Sequence, residues 1–197
     1  MIQWVVDRLK QAGNLTNIVV ATSDESSDDL ICDYCRRQNI SYYRGALHDV
    51  ASRFLGCAES EGAEAFLRVS GDSPLIDPML VDQAVALHIA SSCDLATNVQ
   101  IRSFPKGQSV EVIRTAALAT LYPCFVDASD FEHVTRYFYL HPEQANIESF
   151  SSEEPMGSMQ LSVDTMEDLQ AIEVILQREG GYVSWKSAAR LKREMLI

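Results

Sequence analysis

The sequence predicts a one-domain α/β protein: a doubly wound sheet with helices on both faces and a small mixed β region inserted late in the chain. Three observations lead there. Short apolar runs rich in Val, Ile and Leu alternate with helix-period stretches through the first half of the chain, and the rhythm then changes. At 197 residues and 47% hydrophobic, the chain can bury one proper core, and nine glycines and six prolines are enough to mark turns without implying disorder. Finally, two apolar runs end abruptly on an aspartate, at Phe66-Leu67-Arg68-Val69-Ser70-Gly71-Asp72 and at Leu161-Ser162-Val163-Asp164. The carboxyl end of a buried strand is where open α/β sheets bind their ligands.

The elements follow in order. Residues 2–12 read as a helix with Trp4, Val5, Leu9 and Ala12 on one side. Residues 17–22 form a strand ending at Thr22-Ser23-Asp24, and Ser26 or Ser27 is placed to cap a helix over 28–38. A short strand at 40–43, a helix at 48–61, the buried strand 64–70, a helix at 79–90 and a strand from Cys93 to Asn98 continue the alternation. Gln100 to Gln108 reads as a loop, and Val110-Glu111-Val112-Ile113 as a half-buried strand by its period of two. Helices at 115–122 and 130–140, strands at 146–150 and 159–163, and helices at 165–178 and 184–195 complete the chain, the last two split by Gly180-Gly181. There is no internal repeat, linker or low-complexity tract.

Charge narrows the function. Sixteen basic and 28 acidic side chains give a net charge of −12, which argues against a nucleic-acid binder. No apolar run approaches a membrane span, and Met1 to Lys10 is too amphipathic for a signal peptide, so the expected location is cytoplasmic. The five scattered cysteines fit a reducing compartment. Cys32 and Cys35 form a CxxC, but inside a helical pattern and without a second pair, which reads as a helix face.

The residues themselves outline a site. Asp72 and Asp164, each at a strand end, can converge on one magnesium ion, which is commonly held by one or two carboxylates plus substrate phosphates. Taken singly, each is equally a turn or cap aspartate. Alternation puts Arg68 on the same side of its strand as Ser70 and Asp72, opposite Val69; a simple ion pair is the plainer alternative for it. In the predicted helix 130–140, Glu132 and Arg136 stand at i,i+4, which alone accounts for both charges, and His133 shares a face with Tyr137.

These motifs carry a resemblance. Gly71-Asp72-Ser73-Pro74-Leu75-Ile76-Asp77, followed late in the chain by Val163-Asp164-Thr165-Met166-Glu167-Asp168-Leu169, resembles the cytidylyltransferases that make CMP-activated sugars, most of all the branch typified by spore-coat polysaccharide biosynthesis protein F. The stretches Ile18–Ser23, Arg44-Gly45 with Asp49-Val50 and Arg53-Phe54, Phe104–Gly107, Val110–Val112 and Glu132–Thr135 match the same family in order. The resemblance implies a nucleotide-diphospho-sugar-transferase-like, Rossmann-like three-layer sandwich with a mostly parallel sheet. It implies transfer of CMP from CTP to a sugar or sugar acid with release of pyrophosphate, for surface polysaccharide or glycoconjugate synthesis. Arg68, Asp72 and Asp164 are then catalytic, with Mg2+ on the two aspartates. Thr22, Ser23, Arg68, Ser70 and Gly71 would meet the nucleotide, and Lys106, Glu111, Glu132, His133 and Thr135 the acceptor. A homodimer through Val110–Ile113 and the helix 130–140 is also implied.

The chain departs from the family at one end. Family members open with a strand and a basic loop of the type Q-A-R-x-G-S-x-R-L-P-x-K, whereas Met1 to Leu9 here matches the helix that follows that loop. The first strand and the phosphate clamp are thus absent from these 197 residues, which are expected to begin inside the native protein and to transfer CMP weakly or not at all. Residues 17–22 and 64–70 are then expected to face each other across an unfilled gap. The alternative is a degenerate, non-catalytic homologue acting as a binding or assembly module. A glycosyltransferase with a D-x-D pair fits less well, since Asp72 and Asp77 are wrongly spaced.

Overall fold

A computed structural model describes residues 1–195. Helix α1 (Ile2–Leu9) is followed by strand β1 (Val19–Ser23), α2 (Asp29–Gln38), β2 (Ser41–Gly45), α3 (Val50–Ser60), β3 (Ala65–Arg68) and α4 (Pro78–Ser91). Then come β4 (Leu95–Thr97), β5 (Glu111–Arg114), α5 (Thr115–Leu121), α6 (Ala128–Glu132), α7 (Arg136–Leu140), β6 (Ile147–Ser149), α8 (Met166–Glu179) and α9 (Trp185–Met195). The α/β alternation read from the sequence is present, with most boundaries shifted by a residue or two.

The strands form two sheets. β1 and β2 pair in parallel, from Val19 opposite Ser41 to Ser23 opposite Gly45. The second sheet runs β3-β5-β4-β6, with β5 antiparallel to both neighbours and β4 parallel to β6. Among the described residues no ladder joins β1 to β3, so the expected gap is there.

Helices hold the two sheets together. α1 is amphipathic on two sides: Val6 packs with Cys35 and Ile40 beneath β1 and β2, while Val5 and Leu9 pack with Ile76, Leu80 and Val112 of the second sheet's core. α3 does the same on the other side. It packs on β1 and β2, and its Phe54 stacks on Phe66 of β3 at 5.8 Å between ring centroids. Burial against both sheets substitutes for the missing backbone pairing.

Helix ends carry their own chemistry. Asp49 caps α3 and Asp77 caps α4, with Pro78 in the first turn. Thr165 and Asp168 form a reciprocal capping box at α8, and Gly180, at φ +64°, closes that helix in the left-handed conformation. Three expectations are corrected. Ser26 and Ser27 donate no cap to α2; they lie in a 3-10 turn whose Asp28 turns back to the end of β1. The helix expected over 130–140 breaks at His133–Thr135 into α6 and α7, because Thr135 turns inward to a buried carboxylate. The strand expected at 159–163 is a single bridge between Gln160 and Lys106.

Candidate functional site

The segments that carry the two aspartates come together. Beyond β3 the chain turns through Ser70, whose carbonyl accepts the Ser73 amide, and presents Asp72. The Asp72 carbonyl accepts the amide of Val163 at 2.9 Å, which seats Asp164 one residue away from that bond. Asp72 is half-buried and takes the Ser73 hydroxyl at 2.8 Å; Asp164 is exposed just ahead of α8. Lys106 lies on the same ledge, its amide on the Met159 carbonyl and its carbonyl on the Leu161 amide, both at 2.8 Å. Gly107 makes that close approach feasible: it sits at φ +87°, and a Cβ there would lie 2.6 Å from the Ser162 nitrogen.

No three His, Cys, Asp or Glu side chains among the described residues cluster as a self-sufficient metal site. Two carboxylates open to solvent are what a hard cation needs when phosphate oxygens supply the rest of its shell. Two carboxylates from separate segments suit a hard cation such as magnesium and do not make a zinc-type cage.

Arg68, last residue of β3, reaches Oε2 of Glu111 through Nη1 at 2.7 Å across the β3–β5 pair. Glu111 is buried at 4% side-chain exposure, while Arg68 keeps 29%. Thr135 and Tyr139 both donate to Oε1 of Glu111, at 2.8 and 2.7 Å. Ser70 and Gly71 are exposed on the turn toward Asp72.

The other sheet ends in a separate knot. The Thr22 hydroxyl and Ser23 amide both donate to Oδ2 of Asp28, at 2.7 and 2.9 Å, and these bonds hold the Asp28 carboxyl down at about 2. Arg44 clamps the same turn by donating to the carbonyls of Ser23 and Glu25 and to Asp29. Thr22 and Ser23 are thus buried and engaged within the turn, on the β1 side of the gap.

Among the acceptor-side candidates, Glu132 and His133 are exposed at the end of α6, and Thr135 is buried on Glu111. The Glu132–Arg136 pair is replaced by an ion pair between Arg136 and Asp130. Val110 to Ile113 is buried within the protomer, and β5 has strands on both edges, so this stretch presents no surface to a second subunit. The sequence reading missed Tyr139, Thr97 and the structural role of Asp77. A usable signal was there: Glu111 inside Val-Glu-Val-Ile and Thr97 closing Leu-Ala-Thr are polar groups in buried strands, and such groups demand partners.

The chain resembles known proteins over most of its length. The cytidylyltransferase family model matches residues 1–188. The spore coat polysaccharide biosynthesis protein SpsF of Bacillus subtilis is 28% identical over 187 residues, covering 91% of this chain and 77% of that protein. The structure of a cytidylyltransferase from Leptospira borgpetersenii superposes with a TM-score of 0.88 at 24% identity, over 99% of this chain and 82% of that one. A CMP:2-keto-3-deoxy-manno-octonic acid synthetase solved with CTP shares the fold at a TM-score of 0.66 and 16% identity, over 90% and 88% of the two chains. The chain belongs to the cytidylyltransferase family.

Proposed function

We propose that this site transfers CMP from CTP to a sugar or sugar acid, releasing pyrophosphate, in the synthesis of a surface polysaccharide or glycoconjugate, and that these 197 residues do so at a low rate. The observation that supports the reading is the backbone bond from the Val163 amide to the Asp72 carbonyl, which brings the segments carrying the two aspartates together beyond β3, the strand that ends at Arg68. Asp72 and Asp164 would hold magnesium, which when bound offsets the charge of the triphosphate. Arg68 points a half-exposed guanidinium at the same end of the second sheet, suited to the charge that builds on the α-phosphoryl oxygens. Lys106 attracts an anionic acceptor. His133, exposed, takes the proton of the attacking hydroxyl as the new oxygen–phosphorus bond forms and the α–β bridge breaks. Exposed Ser70 and Gly71 approach the base and ribose, and the turn built on buried Thr22 and Ser23 forms the other side of the nucleotide site.

The chain acts in the cytoplasm, where its five free thiols stay reduced. No helix among the described residues is long and apolar enough to cross a membrane. A homodimer would use the α6–α7 surface, where Val126 and Leu140 are exposed, and light scattering reads it against the 21.9 kDa of one chain.

Calorimetric titration with CTP tests the reading. Binding should require magnesium and vanish in Asp72→Ala and Asp164→Ala variants that remain folded. Magnesium-independent binding, or binding unchanged in both variants, refutes the metal assignment. Absence of binding by the folded wild-type chain withdraws transfer and leaves a binding or assembly role.

A further inference from the structure

Glu111 lies in β5 at 3% exposure, where a carboxylate needs donors on both oxygens. Oε1 receives Thr135 and Tyr139; Oε2 receives Arg68. The Tyr139 proton points at Glu111, so the 2.8 Å contact between Tyr139 and Thr97 runs from the Thr97 hydroxyl to the phenol oxygen. Thr97 in turn accepts the Val99 amide at 3.1 Å. Every bond therefore runs one way, from the Val99 backbone through Thr97 and Tyr139 to Glu111. Burial and the charge of Glu111 both push the Tyr139 phenol up, so this donor keeps its proton across the working pH range.

The Arg68–Glu111 pair is asymmetric. One partner is sealed in the core and the other opens to solvent, with a single nitrogen committed to the protein. Among the described residues the Arg68 side chain makes no further hydrogen bond, and it is 29% exposed, so its remaining donors are free for a ligand. The far end of the chain of bonds is fixed too, since Val99 enters the loop that carries Lys106, and Asn98 clamps the neck of that loop to Gln108 and Val110.

We infer that Tyr139 and Thr97 are positioning residues: acting through Glu111, they hold the Arg68 guanidinium toward the nucleotide phosphates and tie its orientation to the entrance of the acceptor loop. This rests on the proposed transfer of CMP. Tyr139→Phe keeps the ring and its packing and removes one donor; Thr97→Val removes the donor behind it.

The test titrates magnesium–CTP into wild type, Tyr139→Phe, Arg68→Ala and the double variant, with thermal unfolding of all four. Arg68→Ala is expected to weaken binding about ten-fold or more, and Tyr139→Phe about three- to ten-fold. The double variant should bind no more weakly than Arg68→Ala alone, because Tyr139 acts through Arg68. Losses that multiply in the double variant overturn the inference, as does wild-type affinity in Tyr139→Phe beside a weakened Arg68→Ala. A second readout needs no nucleotide: the Arg68 Nη1 protons, followed by NMR on isotope-labelled protein, should be protected in wild type and lose protection in Tyr139→Phe. Unchanged protection overturns the positioning role. Lost protection in a protein that binds no CTP supports it and places the failure in the proposed activity.

Discussion

Replacing Asp77 with alanine removes the acceptor for three donors at once. Oδ1 takes the Met79 amide at 2.9 Å, as the cap of α4, and the Tyr182 hydroxyl at 2.8 Å; Oδ2 takes the Trp185 amide at 2.9 Å, which opens α9. Beneath them lies Arg8 of α1, 4% exposed. Its Nη1 donates to the Val183 carbonyl at 2.8 Å, its Nη2 has no acceptor, and burial lowers its pKa while the negative charge of Asp77 raises it. Losing the cap costs about 1 kcal/mol. Stranding the buried Trp185 amide costs about 1–3 kcal/mol. Arg8 also loses its compensating charge, and the total comes to about 3–5 kcal/mol. For a protein of this size that is a fall in Tm of about 6–20 °C.

Urea unfolding followed by tryptophan fluorescence measures this directly, with Trp185 itself at the node. Asp77→Asn keeps one acceptor and turns an amide against the Trp185 N–H, so it should fall between wild type and alanine. Adding Arg8→Met to Asp77→Ala should restore part of the loss, because it removes the stranded cation. An Asp77→Ala protein within about 1 kcal/mol of wild type at an unchanged m value, with no recovery from Arg8→Met, would refute the reasoning.

Three further outcomes are expected. Asp28 has its folded-state pKa depressed to about 2 from 3.8, so its contribution is present above the unfolded value and disappears as pH falls through the folded one. Asp28→Asn should therefore flatten the stability profile between about pH 5 and pH 2 in acid-titrated thermal melts, and an unaltered slope there tells against the knot at the end of β1. Gly107→Ala forces a Cβ into the Leu161–Ser162 backbone at a positive φ, and should cost about 2 kcal/mol in chemical denaturation and weaken magnesium–CTP binding. His133→Ala touches nothing buried, so its Tm should match wild type while kcat with the acceptor falls about a hundred-fold. Full activity in that variant assigns the proton elsewhere.

Local pattern carried much of this molecule. The runs around Val19–Ser23 and Ala65–Arg68 and the aspartates beyond the strands were legible because side-chain period and turn chemistry are short-range properties. The segments carrying Asp72 and Asp164 are joined by a backbone bond from Val163 to Asp72. What stayed hidden depends on partners far apart in sequence. The stretch 130–140 has helical periodicity at Phe131, Val134 and Phe138, but Thr135 is drawn to Glu111, 24 residues away, and the helix breaks there. Asp28 reads locally as a helix-start residue, and is taken instead by Thr22 and Ser23. Asp77 looked like a failed partner for Asp72 because nothing nearby reveals that residues 182 and 185 return to it.

The gap between β1 and β3 has a consequence for how the molecule moves. Contacts inside the β1–α2–β2 unit are short in sequence, spanning residues 19–45, whereas the second sheet gathers strands from Ala65 to Ser149. With helices α1 and α3 spanning the seam in place of a backbone ladder, the smaller unit can detach at a lower free energy than global unfolding requires. The proposed nucleotide contacts fall on both sides, with Thr22 and Ser23 on one lip and Asp72 and Arg68 on the other. A ligand reaching across would act as a cross-brace, so part of its binding free energy would be spent on closing the seam. Affinity for such a ligand then reports the docked population of the small unit, and a substitution in α1 or α3 that never touches the ligand would loosen its grip.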